Sequence, residues 1–256
     1  MLRYAVLNFE LKHIINRLQH KNENIIVDYA VENVTLSSSK RIYQKTKLLI
    51  DMIPKNSICA LKMSSFGSKE SPIYAYNHIN KLIEYAKLKD ICVCIDAEDV
   101  LYPNLCYSLM LKHNKQDSIH VYNTYQMYCK NGINDMICDI NKAKKDNIMI
   151  GIKLVRGAYL KTQNNLFDKK YKTDNQYNKA IDIALTTNHA HTIIATHNKK
   201  SLDYILNFNK KKYVTAQLLG MGKSEGQIDY RYIAVGTFFE LIPYLIRRLH
   251  ERFFWE

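Results

Sequence analysis

The chain has 256 residues, 47% of them hydrophobic, which is enough for one substantial core and ordinary for a single α/β domain. Its longest apolar runs, at 148–152 and 192–195, fall far short of the roughly 20 residues that a membrane-spanning helix requires. The net charge of +13 admits a polyanion, an anionic membrane surface or an anionic ligand, but the lysine runs at 142–145, 169–172 and 210–212 are short and scattered, so no nucleic-acid tract is expected.

Residues 1–21 lack the apolar stretch of a secretory signal, and Glu10 with few Ser and Arg argues against a mitochondrial presequence. Leu2, Val6, Leu7, Leu11, Ile14, Ile15 and Leu18 share one helical face, which predicts a helix packed on the base of the domain. Residues 1–24 are read as this helix and 25–256 as the main body. β-rich runs then recur at 25–29, 58–63, 91–96, 119–123, 149–155, 192–196, 213–218 and 230–234, with helical periodicity between them, as at 74–88, 105–112, 180–186 and 238–253. This alternation predicts a (β/α)8 barrel of the TIM type, and the continuous apolar character of several strands fits burial on both faces. A doubly wound open sheet is the competitor. It lacks a Gly-rich dinucleotide fingerprint after the first of these strands, where Asp28-Tyr-Ala-Val-Glu32 stands instead. The longest irregular segment, 160–176, has the length of a lid.

Cys59, Cys92, Cys94, Cys106, Cys129 and Cys138 match neither a disulfide scaffold nor zinc-ligand spacing. They read as free thiols, and no metal is expected.

Polar residues gather at one end of the predicted strands: Glu32, Lys62, Asp96, Asn123, Lys153, Arg156, Thr196 to Asn198, Gln217 and Tyr232. In a (β/α)8 barrel the C-terminal strand ends carry the active site. On the last helix Tyr244, Arg247, Arg248 and Glu251 follow an i, i+3, i+4, i+7 rule and share a face. Such a stripe faces water, an interface or an anionic ligand.

These residues resemble the proline dehydrogenase family, in its eukaryotic mitochondrial form. The resemblance runs through Asp28-Tyr-Ala-Val-Glu32, Lys62, Asp96-Ala-Glu98, Asn123-Thr-Tyr-Gln126, Lys153-Leu-Val-Arg-Gly-Ala-Tyr159, Ala195-Thr-His-Asn198, Gln217-Leu-Leu-Gly-Met221, Tyr232 and Tyr244 to Glu251. It implies oxidation of L-proline to Δ1-pyrroline-5-carboxylate with non-covalent FAD, and electrons passed to a quinone. Peripheral membrane contact and a place on the matrix side of the inner mitochondrial membrane follow from the same resemblance.

The resemblance also implies roles. Arg247, Arg248 and Lys62 would grip the substrate carboxylate, Glu251 would orient an arginine, and Glu32 would pair with Arg247 as a gate. Tyr159, Tyr232 and Tyr244 would wall the ring pocket, Asp96 would close it, and Leu218 would form an apolar floor. Lys153 would stand beside the flavin as a cation. Gln126, Gly157 and Ala158 would contact its ring system or ribityl chain, with Gly157 allowing close backbone approach. Thr196, His197 and Asn198 would hold the adenosine end. Two rivals stand beside this reading: a hydroxyproline dehydrogenase, against which Tyr232 weighs, and a flavin-free basic barrel that acts as a binding protein.

Overall fold

The structure is a computed structural model that describes residues 5–159, 163–221 and 226–255, with side chains as far as 248. Among the described residues nine strands form one sheet: β1 (Val6–Leu7), β2 (Asn24–Tyr29), β3 (Ile58–Leu61), β4 (Cys92–Ile95), β5 (Val121–Gln126), β6 (Ile150–Val155), β7 (Ala190–Ala195), β8 (Tyr213–Leu218) and β9 (Tyr230–Gly236). Strands β2 to β9 pair in parallel with their chain neighbours, and β9 returns to β2. The result is the closed eight-stranded parallel barrel that the alternation predicts. Helices α2 (Leu36–Met52), α3 (Pro72–Lys87), α4 (Pro103–His113), α5 (Gly132–Lys145), α6 (Lys170–Thr186) and α7 (Lys199–Ile205) connect successive strands. Among the described residues no helix joins β8 to β9.

Local chemistry sets several boundaries. Ser71 accepts from the Tyr74 N–H at 3.3 Å and Pro72 follows it, so α3 starts with a cap and a residue that has no N–H to satisfy. Pro103 opens α4 in the same way, and the Asn198 side chain caps α7 by accepting from Ser201 N.

Alternation along each strand sorts the core into two parts. Ile25, Val27, Val93, Ile95, Val121, Ile152 and Ile233 point outward into the layer between sheet and helices. Ile26, Ile58, Ala60, Cys94, Tyr122, Ile193 and Ala216 point inward and fill the lower barrel. Nearer the C-terminal strand ends the same inward rows become polar, with Asp28, Lys62, Asp96, Thr124 and Lys153 lining a cavity. Because polar groups in such a place are costly unless paired, their partners decide the site.

The start of the chain departs from the sequence reading. Val6 and Leu7 belong to a strand, paired with Val235 and Gly236, and not to a helix; long-range backbone pairing overrides the local helical pattern. Leu2 lies outside the described residues. Helix α1 (Leu11–Gln19) follows a short 3-10 turn, and its Leu11, Ile15 and Leu18 join the outer apolar layer with Ile25 and Val27. It therefore packs on the barrel wall beside β2, not on the base. Helix α8 (Phe238–Trp255) is displaced in compensation: Leu241 and Tyr244 pack on Ala30, Ala234 and Leu218 above the barrel mouth.

Candidate active site

The cavity at the C-terminal strand ends encloses about 510 Å³. It brings together Lys62, Asp96, Gln126, Lys153, Gly157, Ala158, Tyr159, Thr196, His197, Asn198, Leu218, Tyr232, Tyr244, Arg247 and Arg248 from six strand ends, the interior of β9 and α8. Glu32 stands at its edge, bonded to two lining residues. The Glu251 side chain lies outside the described residues.

Two ion-paired clusters organise the interior. In the first, Lys153 donates to Asp96 Oδ1 at 2.6 Å, and its ammonium lies 4.7 Å from the centre of the Tyr232 ring. Tyr232 in turn donates its hydroxyl to Asp96 Oδ2 at 2.7 Å, and Thr124 donates to Oδ1 at 3.3 Å. Tyr232 sits inside the barrel and not at a strand end, because β9 continues to Gly236. Burial opposes ionisation of Asp96, but the charges of Lys153 and Lys62 outweigh it and hold the carboxyl below its usual range. Burial likewise opposes the charge on Lys153, yet Asp96 keeps its pKa above the ordinary lysine value.

In the second cluster Lys62 pairs with Asp28 and stands 4.0 Å from Glu32. Glu32 is gripped by Arg247 through both terminal nitrogens, Nη2 at 2.6 Å, and accepts from the Tyr159 hydroxyl at 3.1 Å. Burial works against a charged Glu32, but the Arg247 bonds and the Lys62 charge lower its pKa overall. At Asp28 the balance is reversed, since burial prevails over Lys62 and raises the pKa. The Arg247 guanidinium stacks 4.6 Å from the Tyr159 ring, and Arg248 lies 5.2 Å from the Tyr244 ring. Four cations, Lys62, Lys153, Arg247 and Arg248, and three carboxylates, Asp28, Glu32 and Asp96, thus meet around this cavity.

Several expected contacts serve the fold as well. Asn198 caps α7, and Thr196 accepts from Arg156 Nη1 at 2.6 Å. His197 Nε2 accepts from the Leu218 N–H at 3.0 Å. Gln126 donates to the Ala97 carbonyl at 3.1 Å. At Gly157, φ is +133°, and a Cβ would stand 2.0 Å from the Tyr128 ring, so its first duty is to make room for that tyrosine. Asn123 points away from the cavity, because the inward residues of β5 are its neighbours Tyr122 and Thr124.

The site also contains residues the sequence left without a role. Asp28 carries no outward sign that it meets Lys62. Arg156 lines the cavity while binding Asp174 at 2.6 Å, Thr196, and Ser201 at 3.1 Å, which ties β6, α6 and α7 together. Gln163 bonds to Tyr128, to Gln126 at 3.0 Å and to the Glu98 carbonyl at 2.6 Å, fastening the loop that follows Tyr159. That loop is shorter than the expected lid because helix α6 already begins at Lys170; residues 160–162 lie outside the described residues.

The fold and cavity define a (β/α)8 protein with a cationic, aromatic pocket under its last helix. The family model for proline dehydrogenase matches residues 11–252, so the chain belongs to the proline dehydrogenase family. It is 28% identical over 263 residues to the mitochondrial proline dehydrogenase 1 of Dictyostelium discoideum, covering 86% of this chain and 46% of that protein. It is 27% identical over 264 residues to a probable mitochondrial proline dehydrogenase of Schizosaccharomyces pombe, covering 82% and 53% respectively. The chain thus spans about half the length of these curated relatives. Among solved structures, the proline utilization A protein of Bdellovibrio bacteriovorus superposes with a TM-score of 0.83 at 15% identity, over 98% of this chain and 32% of that one. At that identity the likeness speaks for the fold.

Proposed function

We propose that this chain oxidises L-proline to Δ1-pyrroline-5-carboxylate with FAD and passes the electrons to a membrane quinone. The observation that carries the reading is the meeting, in one cavity, of a cationic end formed by Lys62, Arg247 and Arg248 with the rings of Tyr159, Tyr232 and Tyr244. A small amino acid with a carboxylate on one side and a saturated ring on the other requires both.

The cavity suits a flat cofactor. Ala97, Gly157, Ala158, Ala195 and Ala216 line it with little or no side chain. The buried Lys153 ammonium supplies a fixed positive charge among them. Gln126, Lys153, Gly157 and Ala158 would hold the ring system and ribityl chain, and Thr196, His197 and Asn198 the adenosine end. FAD, when bound, supplies the hydride acceptor that no side chain provides.

The chain's own residues do the rest. Arg247, Arg248 and Lys62 fix the carboxylate by charge-assisted hydrogen bonds. Tyr159, Tyr232 and Tyr244 enclose the ring, Leu218 forms the apolar floor, and Glu251 orients an arginine. Asp96 holds Tyr232 and Lys153 in place through bonds of 2.7 and 2.6 Å. The Glu32–Arg247 pair closes the mouth over bound substrate, excluding water. The names of the Dictyostelium and Schizosaccharomyces relatives, with a quinone acceptor, support the inner mitochondrial membrane, matrix side, as the place of action. Among the described residues no helix is long and apolar enough to cross a membrane; the contact in this reading is peripheral.

The test is an absorbance scan of the purified protein, before and after L-proline, with rates compared on hydroxyproline. The expected result is a yellow protein whose bands bleach with proline and respond more weakly to hydroxyproline. A colourless protein that takes up no added FAD would overturn the reading.

A further inference from the structure

Helix α8 is amphipathic in an inverted sense. The side that faces the barrel carries Tyr244, Arg247 and Arg248 above the cavity. The outer side carries Phe239, Ile242 and Ile246 at i, i+3 and i+7, exposed by 80, 38 and 50%, with Phe238 beside them at 53%. Phe9, 80% exposed, lies two residues past Leu7, which pairs with Gly236 just before the helix. Four large exposed apolar side chains on one helix, with Phe9 following the strand that pairs beside its start, make a patch of the kind that marks an interaction site, unlike single exposed leucines elsewhere.

The surroundings select the occupant. Glu240, the acidic residue of the first turn, is turned inward to Tyr29, Lys45 and Thr237. Arg41 of α2, with a 65% exposed side chain, stands 3.9 Å from it, and Lys12 and His13 of α1 are exposed after Phe9. Glu10 is the acidic neighbour, its carboxylate accepting from the Leu7 N–H at 3.3 Å. A second copy of a chain with net charge +13 would be repelled from this face, whereas an anionic bilayer would be attracted to it. Phenylalanines and isoleucines on one side of a helix, flanked by basic residues, are the pattern of a helix lying in the lipid interface.

We infer that the outer face of α8, with Phe9, is a membrane-docking surface that seats the barrel mouth on an anionic lipid bilayer. Its use in electron transfer rests on the quinone reading above, while its physical evidence is the helix itself. Docking on this face brings the substrate cavity, which lies under the same helix, close to the hydrocarbon in which a quinone dissolves.

Flotation of the whole chain with phosphatidylcholine vesicles, with and without phosphatidylserine, tests the inference. Binding is expected to the phosphatidylserine vesicles and to weaken severalfold with added salt. Replacing both Phe239→Ser and Ile242→Ser should lower partitioning roughly tenfold or more, and Arg41→Gln should lower it about fivefold. Melting temperature and proline oxidation with a soluble dye should be unchanged in the double variant. The inference is overturned if the parent floats with neither vesicle, or if the double variant floats equally well. It is also overturned if light scattering finds a dimer that the double substitution dissociates, which would make a second copy the occupant. If dye-coupled oxidation is absent from every protein while flotation follows the expected pattern, the catalytic reading fails and the docking surface stands.

Discussion

Arg247 and Arg248 are adjacent in the chain yet meet different neighbours: Arg247 is clamped on Glu32 and stacked on Tyr159, and Arg248 lies by Tyr244. Their loss should therefore read out differently. Arg248→Met is expected to raise KM for proline by about 30-fold or more, since a charge-assisted contact in a confined pocket is worth about 2–5 kcal/mol. Arg247→Met should do the same and also lower stability by about 1–3 kcal/mol, because Glu32 is left without its strongest partner. Unchanged KM in both variants would mean that this face does not meet substrate. Glu98, buried beneath the β4 end, gives a second expectation. It accepts from Ser64 N at 2.9 Å and from the Ser64 hydroxyl, but burial prevails and moves its pKa from 4.5 to about 7. The folded chain then holds this proton more tightly than the unfolded chain, so the group favours the native state at low pH and that advantage is lost as pH rises from 4.5 to about 7. Glu98→Gln should be more stable than the parent by about 1–3 kcal/mol near pH 8, with the gap closing near pH 5. Denaturant unfolding at the two pH values checks this, and an equal gap at both would refute it.

At the scale of elements, one carboxylate anchors the start of α8. Glu240 accepts from Tyr29 at 2.7 Å, from Lys45 at 2.8 Å and from Thr237 N and Oγ1 at 3.0 and 2.8 Å, binding the start of the helix to β2 and α2. Glu240→Ala should loosen this anchor, raising KM for proline severalfold while costing only about 1–2 kcal/mol of stability. A fall in melting temperature with unchanged KM would show that the anchor supports the fold alone. The spacing of Tyr244, Arg247 and Arg248 made their common face legible in the sequence, because helical geometry is local. Which way that face turns was not legible. It depends on Leu241 and Tyr244 finding Ala30 and Ala234, a contact between opposite ends of the chain. For the same reason Val6 and Leu7 read as helix while their pairing with β9 makes them strand. Asp28 read as part of a motif without a role, since its partner Lys62 is brought to it only by the register of β2 against β3.

For the molecule as a whole, eight apolar runs at regular intervals were enough to read a closed barrel, because buried parallel strands and connecting helices leave distinct periods in the sequence. Polar residues at the strand ends were enough to say which end of the barrel carries the polar cavity. The exceptions are instructive: Asn123 shares a strand end with Thr124 and Gln126 but faces outward, as strand alternation requires once the register is known. Gln163 gave no signal at all, since its amide meets Tyr128, Gln126 and Glu98 only through the path of an irregular loop.

The exchange of places between α1 and α8 has a consequence for how the protein divides its labour. The wall beside β2 is sealed by a helix from the start of the chain, whose Leu11, Ile15 and Leu18 complete the outer layer. The last helix is thereby relieved of any duty to the barrel wall, and the barrel and the helix that carries Arg247 and Arg248 become separable parts. A chain stopped before Phe238 should still melt cooperatively, with the far-UV circular dichroism of a barrel, while losing all proline turnover. If the truncated chain instead has no melting transition, closure of the barrel and capture of the substrate are one indivisible property of the sequence.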